Sequence, residues 1–157
     1  WNWYQYSACA AEVEVNEETG EVRVIKFASA ADTGNPINPK LVEGQIEGGV
    51  HMAIGFSIME DHFYDKNGMI ANRNLGDYRI PTIMEMPKNE NVASIICPDA
   101  LPDGPFGAKG MAESITVPVA PAIAEAVYNA VGIRVDSYPM TAEKVLKLIK
   151  EKKEAAN

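Results

Sequence analysis

Cysteine is scarce in this sequence: Cys9 and Cys97 are the only two. Two thiols build neither a disulfide framework nor a zinc site, and such sparsity fits a reducing, cytoplasmic setting. Histidine is equally rare. His51 and His62 have no second ligand at metal-binding spacing, so a metal held by side chains is not expected. Positive charge is in deficit. Fourteen Lys and Arg stand against 22 Asp and Glu, a net charge of −8. That balance argues against a nucleic-acid partner, which needs clustered bases, and against an anionic membrane surface. No uninterrupted apolar run reaches the roughly 18 residues that would suggest a membrane span. Low-complexity tracts, internal repeats and linkers are missing as well.

What is present is an ordinary globular composition, 46% hydrophobic over 157 residues with 12 Gly. A chain of this size buries about 70% of its unfolded surface, enough for one core. The reading is a single α+β domain over residues 1–157, with β-hairpins and short strands packed on about three helices. The chain opens Trp1-Asn2-Trp3 rather than with Met, so it reads as a piece of something longer. The aromatic group Trp1, Trp3, Tyr4 and Tyr6 suits core or interface packing.

Residues 11–15 and 22–27 alternate apolar and polar around a loop ending at Gly20, which predicts a hairpin with its Glu side chains in solvent. Residues 28–37 are small and turn-rich. Asn38-Pro39 then offers an N-cap with Pro in the first turn, and Val42, Ile46, Gly49 and Ala53 recur at helical spacing. The predicted helix runs from 39 to 58 and carries Gly44, Gly48, Gly49 and Gly55. Each costs about 1 kcal/mol relative to Ala, so close approach by another backbone or a ligand is expected. A second hairpin is expected over 62–72, strands over 92–97 and 133–138, and a helix over 119–131 closed by Gly132. A last helix begins after Thr141, with an apolar face at Val145, Leu146, Leu148 and Ile149 and a polar tail fraying from Glu151.

The loop from Gly104 to Glu113 holds the chemistry. Gly107 and Gly110 let backbone amides approach a ligand. It is not a P-loop, because Lys109 is followed by Gly. Glu113 comes next, beside Met111, Ala112 and Ile115, where apolar surroundings would suit a general base. By spacing alone, an acid there is more often a first-turn charge. Gln45, set among glycines, could offer its amide to a ligand oxygen, although a surface Gln is the commoner case. Ser114 has no His near in sequence, so a nucleophile role for it is unsupported.

Several stretches together resemble one family, and they fall in family order: Ala11 to Val15 through Val22, Asp32-Thr33-Gly34 to Pro39, Gly44-Gln45-Ile46-Glu47-Gly48-Gly49, Asp77 to Thr82, Gly107-Ala108-Lys109-Gly110 through Glu113, and Ala120 to Ala124. The ordered set is similar to the C-terminal part of the molybdenum-cofactor subunit of molybdenum hydroxylases, the xanthine dehydrogenase and aldehyde oxidoreductase group. The resemblance implies a molybdopterin cofactor. It implies contacts to that cofactor from Gln45 and from Gly107, Ala108, Lys109, Gly110, Met111 and Ala112. It makes Glu113 the base in hydroxylating an electron-poor carbon of a purine, N-heterocycle or aldehyde, with water as the oxygen source. It also implies partners: the rest of the molybdenum subunit, and iron–sulfur and flavin domains or subunits. Ala112 departs from the usual Gly before the Glu. On this reading the 157 residues alone are inactive. The competing reading is a non-catalytic assembly module of the same fold.

Overall fold

The computed structural model describes residues 4–155. Its centre is a sheet ordered β1 (Ser7–Val15), β2 (Val22–Asp32), β3 (Val92–Cys97). The β1–β2 hairpin is antiparallel, from Val15 opposite Val22 to Ser7 opposite Ala31, with a bulge at Glu12/Val13. Its turn is fixed by Asn16, whose side-chain oxygen accepts from Glu18 N at 2.9 Å and Thr19 N at 3.1 Å. Glu12 and Glu14 are exposed while Val13 and Val15 turn inward, as the alternation predicts.

Both strands run further than expected. Ser7–Ala10 and Ala28–Asp32 are small residues with weak strand preference, read above as turn-rich in part. They are strand because β2 is central. Its second half pairs β1 on one side and lies parallel to β3 on the other, Phe27 opposite Val92 through Asp32 opposite Cys97. Ladder hydrogen bonds on both edges outweigh local propensity.

Helix α1 (Pro39–Ile58) begins and ends where its sequence indicates. The Asn38 side chain accepts from Leu41 N at 3.2 Å, and Pro39 sits where a missing N–H costs nothing. Helix α2 (Val119–Val131) ends at Gly132, which takes φ +66°. The core lies between the sheet and these helices, with Phe27, Ile46, Ile54, Ile115, Ile123 and Val127 all at 1% exposure or less.

Three expectations need correction. Residues 133–138 are not a strand. Ile133 is buried, but no strand of the described sheet lies alongside to pair this segment. Over 62–72 only one antiparallel bridge forms, Tyr64 to Ile70. The third correction is helix α3 (Ala142–Ala155), which does not fray at Glu151. Lys152 Nζ donates to Val131 O at 2.8 Å, and Lys153 pairs with Glu17 at 2.8 Å, so the tail is tied to α2 and to the hairpin turn. Of the aromatic group, Trp1 and Trp3 fall outside the described residues, while Tyr4 and Tyr6 are exposed and take no part in the core.

One stretch, Glu113–Val131, passes a test of length and composition for crossing a membrane, with mean hydropathy 1.2, although Glu113, Ser114, Thr116, Glu125 and Asn129 interrupt its apolar run. Its α-helical part is the 13 residues of α2, about 20 Å long against a hydrocarbon core of about 30 Å. Val119, Ala120, Ile123 and Val127 of that helix are buried.

Candidate functional site

The Asp32-Thr33-Gly34 and Gly107-to-Gly110 motifs, 75 residues apart in sequence, meet in space. Lys109 Nζ lies 2.5 Å from Asp32 Oδ2, with side-chain exposures of 6% and 7%. Asp99 adds a second, exposed carboxylate 3.5 Å away. The hydrogen bond from Lys109 to Asp32 is the main cause that raises the ammonium's pKa, against the opposing effect of burial. Along the backbone, Lys109 N donates to Thr33 O at 3.0 Å, and Asn35 N donates to Gly107 O at 2.8 Å. Asn35 Nδ2 reaches Phe106 O at 3.0 Å. Glycine is required here: Gly107 has φ +75°, and a Cβ on it would meet Asn35 Nδ2 at 2.7 Å.

The chain then passes Gly110, Met111 and Ala112 and enters a 3-10 turn, Glu113–Ile115. Ala112 has φ −155°, outside the positive-φ range that demands Gly, so the backbone accepts its methyl. Ile115 is fully buried. It seats against α1 at Gly49, where a Cβ would lie 3.0 Å from Ile115 Cγ2. Gly49 therefore has a structural reason, close approach by a side chain. Gly55 has another, since a Cβ there would collide with Glu60 and Pro81. Gly44 and Gly48 have none among the described residues, because a Cβ on either meets nothing within 4 Å there.

Gln45 sits between those two glycines, exposed on α1, one helical turn from Gly49. Glu113 is exposed, so this chain supplies no apolar enclosure for it, contrary to the expectation above. Lys109 is turned into the fold toward Asp32, and its backbone N–H is taken by Thr33 O, so neither donor is left for a ligand. Met111 is half-buried against the core. Ser114 Oγ is buried and lacks a partner among the described residues, a poor position for a nucleophile. No group of three His, Cys, Asp or Glu able to hold a metal occurs among the described residues.

The Asp77–Thr82 motif is anchored on α1 and on the segment that follows it. Tyr78 OH donates to Glu60 Oε2 at 2.5 Å, the His62 ring stacks on Tyr78 at 4.9 Å, and His51 Nε2 donates to Pro81 O at 2.9 Å. The Glu60 contact pushes the Tyr78 phenol up to about 12. A raised folded-state value means that the stability gained from protonated Tyr78 is complete below pH about 10 and is lost as pH rises through about 12. An ultraviolet phenolate titration should show one late-ionising tyrosine, absent in Tyr78→Phe. A phenolate titration whose alkaline end Tyr78→Phe leaves unchanged would contradict it. A groove of about 1010 Å³ lies between this segment, the start of β2 and the start of α3, and none of the candidate residues lines it.

Sequence reasoning placed Asp32 in a motif but missed its pairing with Lys109, and gave no role to Asn35 or Glu60. For Asp32 a signal existed: a lone acid ends an Ala-rich strand, and a lone Lys stands in a glycine loop. Each needs a partner if buried.

A model of the molybdopterin cofactor-binding domain matches residues 2–87, which include Gln45 and the Asp77–Thr82 motif. The chain is 41% identical to a probable hypoxanthine oxidase of Escherichia coli K12 over 143 residues, 91% of this chain and 15% of that protein. Aldehyde oxidoreductase of Desulfovibrio desulfuricans superposes with a TM-score of 0.81 at 35% identity, over 92% of this chain and 15% of its own. Quinoline 2-oxidoreductase of Pseudomonas putida 86 gives 0.81 at 34% identity, over 88% and 18%. The chain belongs to the molybdopterin cofactor-binding domain family of the molybdenum hydroxylases. It spans less than a fifth of the length of each of these relatives.

Proposed function

We propose that this chain is the part of a molybdenum hydroxylase subunit that supplies one wall of the cofactor site and its catalytic base. The reaction is hydroxylation of an electron-poor carbon in a purine, N-heterocycle or aldehyde, with oxygen taken from water. One observation carries the reading. Glu113, exposed, leaves a clamped glycine loop and enters a turn seated on Gly49, one helical turn from Gln45.

The residues fit a bound molybdopterin. The open space over Gly44 and Gly48, with Gln45 between them, is a surface on which a group from outside the chain can lie close to the backbone. When bound, the cofactor supplies the redox chemistry. The chain's own contribution is positioning and proton transfer. The Gln45 amide orients the cofactor by hydrogen bonding. The backbone of Gly107, Ala108 and Gly110 through Ala112 borders it. The Glu113 carboxylate accepts the proton released as the water-derived oxygen attacks carbon.

The missing walls, the electron-transfer iron–sulfur and flavin components and the substrate pocket belong to the rest of the assembly. A cytoplasmic location accords with free Cys9 and Cys97. The 157 residues by themselves are expected to show no turnover. The test is elemental analysis of the native polypeptide recovered through a tag. About one molybdenum per chain on a polypeptide far heavier than 17.1 kDa is expected. No molybdenum would leave a fold kept without its chemistry. In that polypeptide, Gln45→Ala should weaken cofactor retention about five- to tenfold, the size of one net hydrogen bond. Unchanged retention would remove Gln45 from the site.

A further inference from the structure

We propose that the Asp32–Lys109 pair is a clamp that positions Glu113, so that Lys109 acts through the loop and not as a cofactor ligand. The inference rests on the reading of Glu113 as base. Asp32 is the last residue of the central strand, which is hydrogen-bonded along both edges. Its two oxygens are both used: Oδ2 accepts from Lys109 Nζ at 2.5 Å and Oδ1 from Gly34 N at 3.0 Å. The loop is thereby fastened to the stiffest part of the fold. Gly34 completes the fit. It takes φ +60°, and a Cβ there would lie 2.3 Å from Gly107 O.

Downstream, the second fixed point is Ile115, buried on Gly49. Only Gly110, Met111 and Ala112 separate Lys109 from Glu113, and Ser114 alone separates Glu113 from Ile115. Glu113 is thus held between two anchors on different elements. The ionic anchor is not needed for stability as such, because a buried ion pair can often be replaced by apolar residues of similar volume without loss. What a directed ammonium–carboxylate bond adds is a fixed loop position. For a base, that matters steeply: displacement by about 1 Å can cost roughly a hundredfold in rate.

The test uses the complete molybdenum subunit with Lys109→Met, Asp32→Asn and the double variant. Two quantities are read: amide hydrogen exchange at Asn35 and Lys109, and kcat per bound molybdenum. Lys109→Met should speed exchange at those amides by about tenfold or more, as expected for losing a hydrogen bond to a charged group. It should lower kcat per molybdenum by about ten- to a hundredfold with KM little changed. Asp32→Asn, which keeps an acceptor for Gly34 N, should act in the same direction more weakly. Should Lys109→Met fail to fold, Asp32→Asn carries the test. The double variant should be no worse than Lys109→Met, since both changes remove one bond.

Unchanged exchange in the single variants overturns the clamp, whatever Glu113→Gln does. Faster exchange with kcat per molybdenum unchanged overturns the positioning role, and so does a fall in activity that only tracks lost molybdenum. A normal rate in Glu113→Gln, with faster loop exchange in Lys109→Met, would instead overturn the assignment of the base.

Discussion

Replacing Glu113 by Gln in the complete enzyme is expected to lower kcat by about 10²–10⁴, the usual contribution of a positioned general base. The substitution keeps the side chain's size and removes its capacity to accept a proton. Glu113 is exposed and makes no side-chain bond among the described residues; the turn is closed through its backbone carbonyl, which accepts from Thr116 N at 3.0 Å and from Thr116 Oγ1 at 2.8 Å. Thermal stability and molybdenum content should therefore match the unsubstituted enzyme. With those two constant, the loss in kcat is assigned to proton transfer. A rate within about threefold of the parent, far short of the loss of a base, would return Glu113 to an ordinary first-turn acid and favour the assembly-module reading. Ser114→Ala serves as the control. Its hydroxyl is buried, and a large loss there would revive a nucleophile at that position.

The elements that frame the candidate site are legible in the sequence because their signals are local. Asn38-Pro39 marks the start of α1, Gly132 marks the end of α2, and the observed bounds agree with both. Gln45 and the glycines around it stand out in a helix that would otherwise favour Ala. The expected reason for the four glycines, close approach by another backbone or a ligand, fails at two of them, where side chains of the chain itself approach. Gly49 and Gly55 answer to packing within the chain, and only Gly44 and Gly48 remain for a ligand. The illegible parts are non-local. Nothing in Val92–Cys97 announces that it will lie parallel to Ala28–Asp32, yet that pairing turns a small-residue stretch into strand and delivers Asp32 to Lys109. The environment of Glu113 was misjudged for a related reason. Its neighbours in sequence are apolar, but Ile115 turns into the core and Met111 partly follows, which leaves the carboxylate outside.

The seat beneath Glu113 gives the second large effect. Ile115 is fully buried, so Ile115→Ala is expected to cost about 2–5 kcal/mol of stability, through lost transfer energy and the cavity left against α1. The urea midpoint reports it. The same change loosens one of the two anchors of Glu113, so kcat per molybdenum should fall in the surviving folded enzyme. Gly49 makes the contact itself testable. In the parent, Gly49→Ala gains helix propensity of about 1 kcal/mol but places a methyl 3.0 Å from Ile115 Cγ2, so the gain is offset by crowding. In the Ile115→Ala background that atom is gone and the residue-115 Cβ at 3.2 Å is the nearest contact left, so the same Gly49→Ala should recover part of the propensity gain. The two substitutions must then couple favourably, by about 0.5 kcal/mol or more, as contacting residues do. Strict additivity would mean that the turn does not rest on Gly49, and the account of how Glu113 is placed next to the Gln45 face of α1 would fail with it.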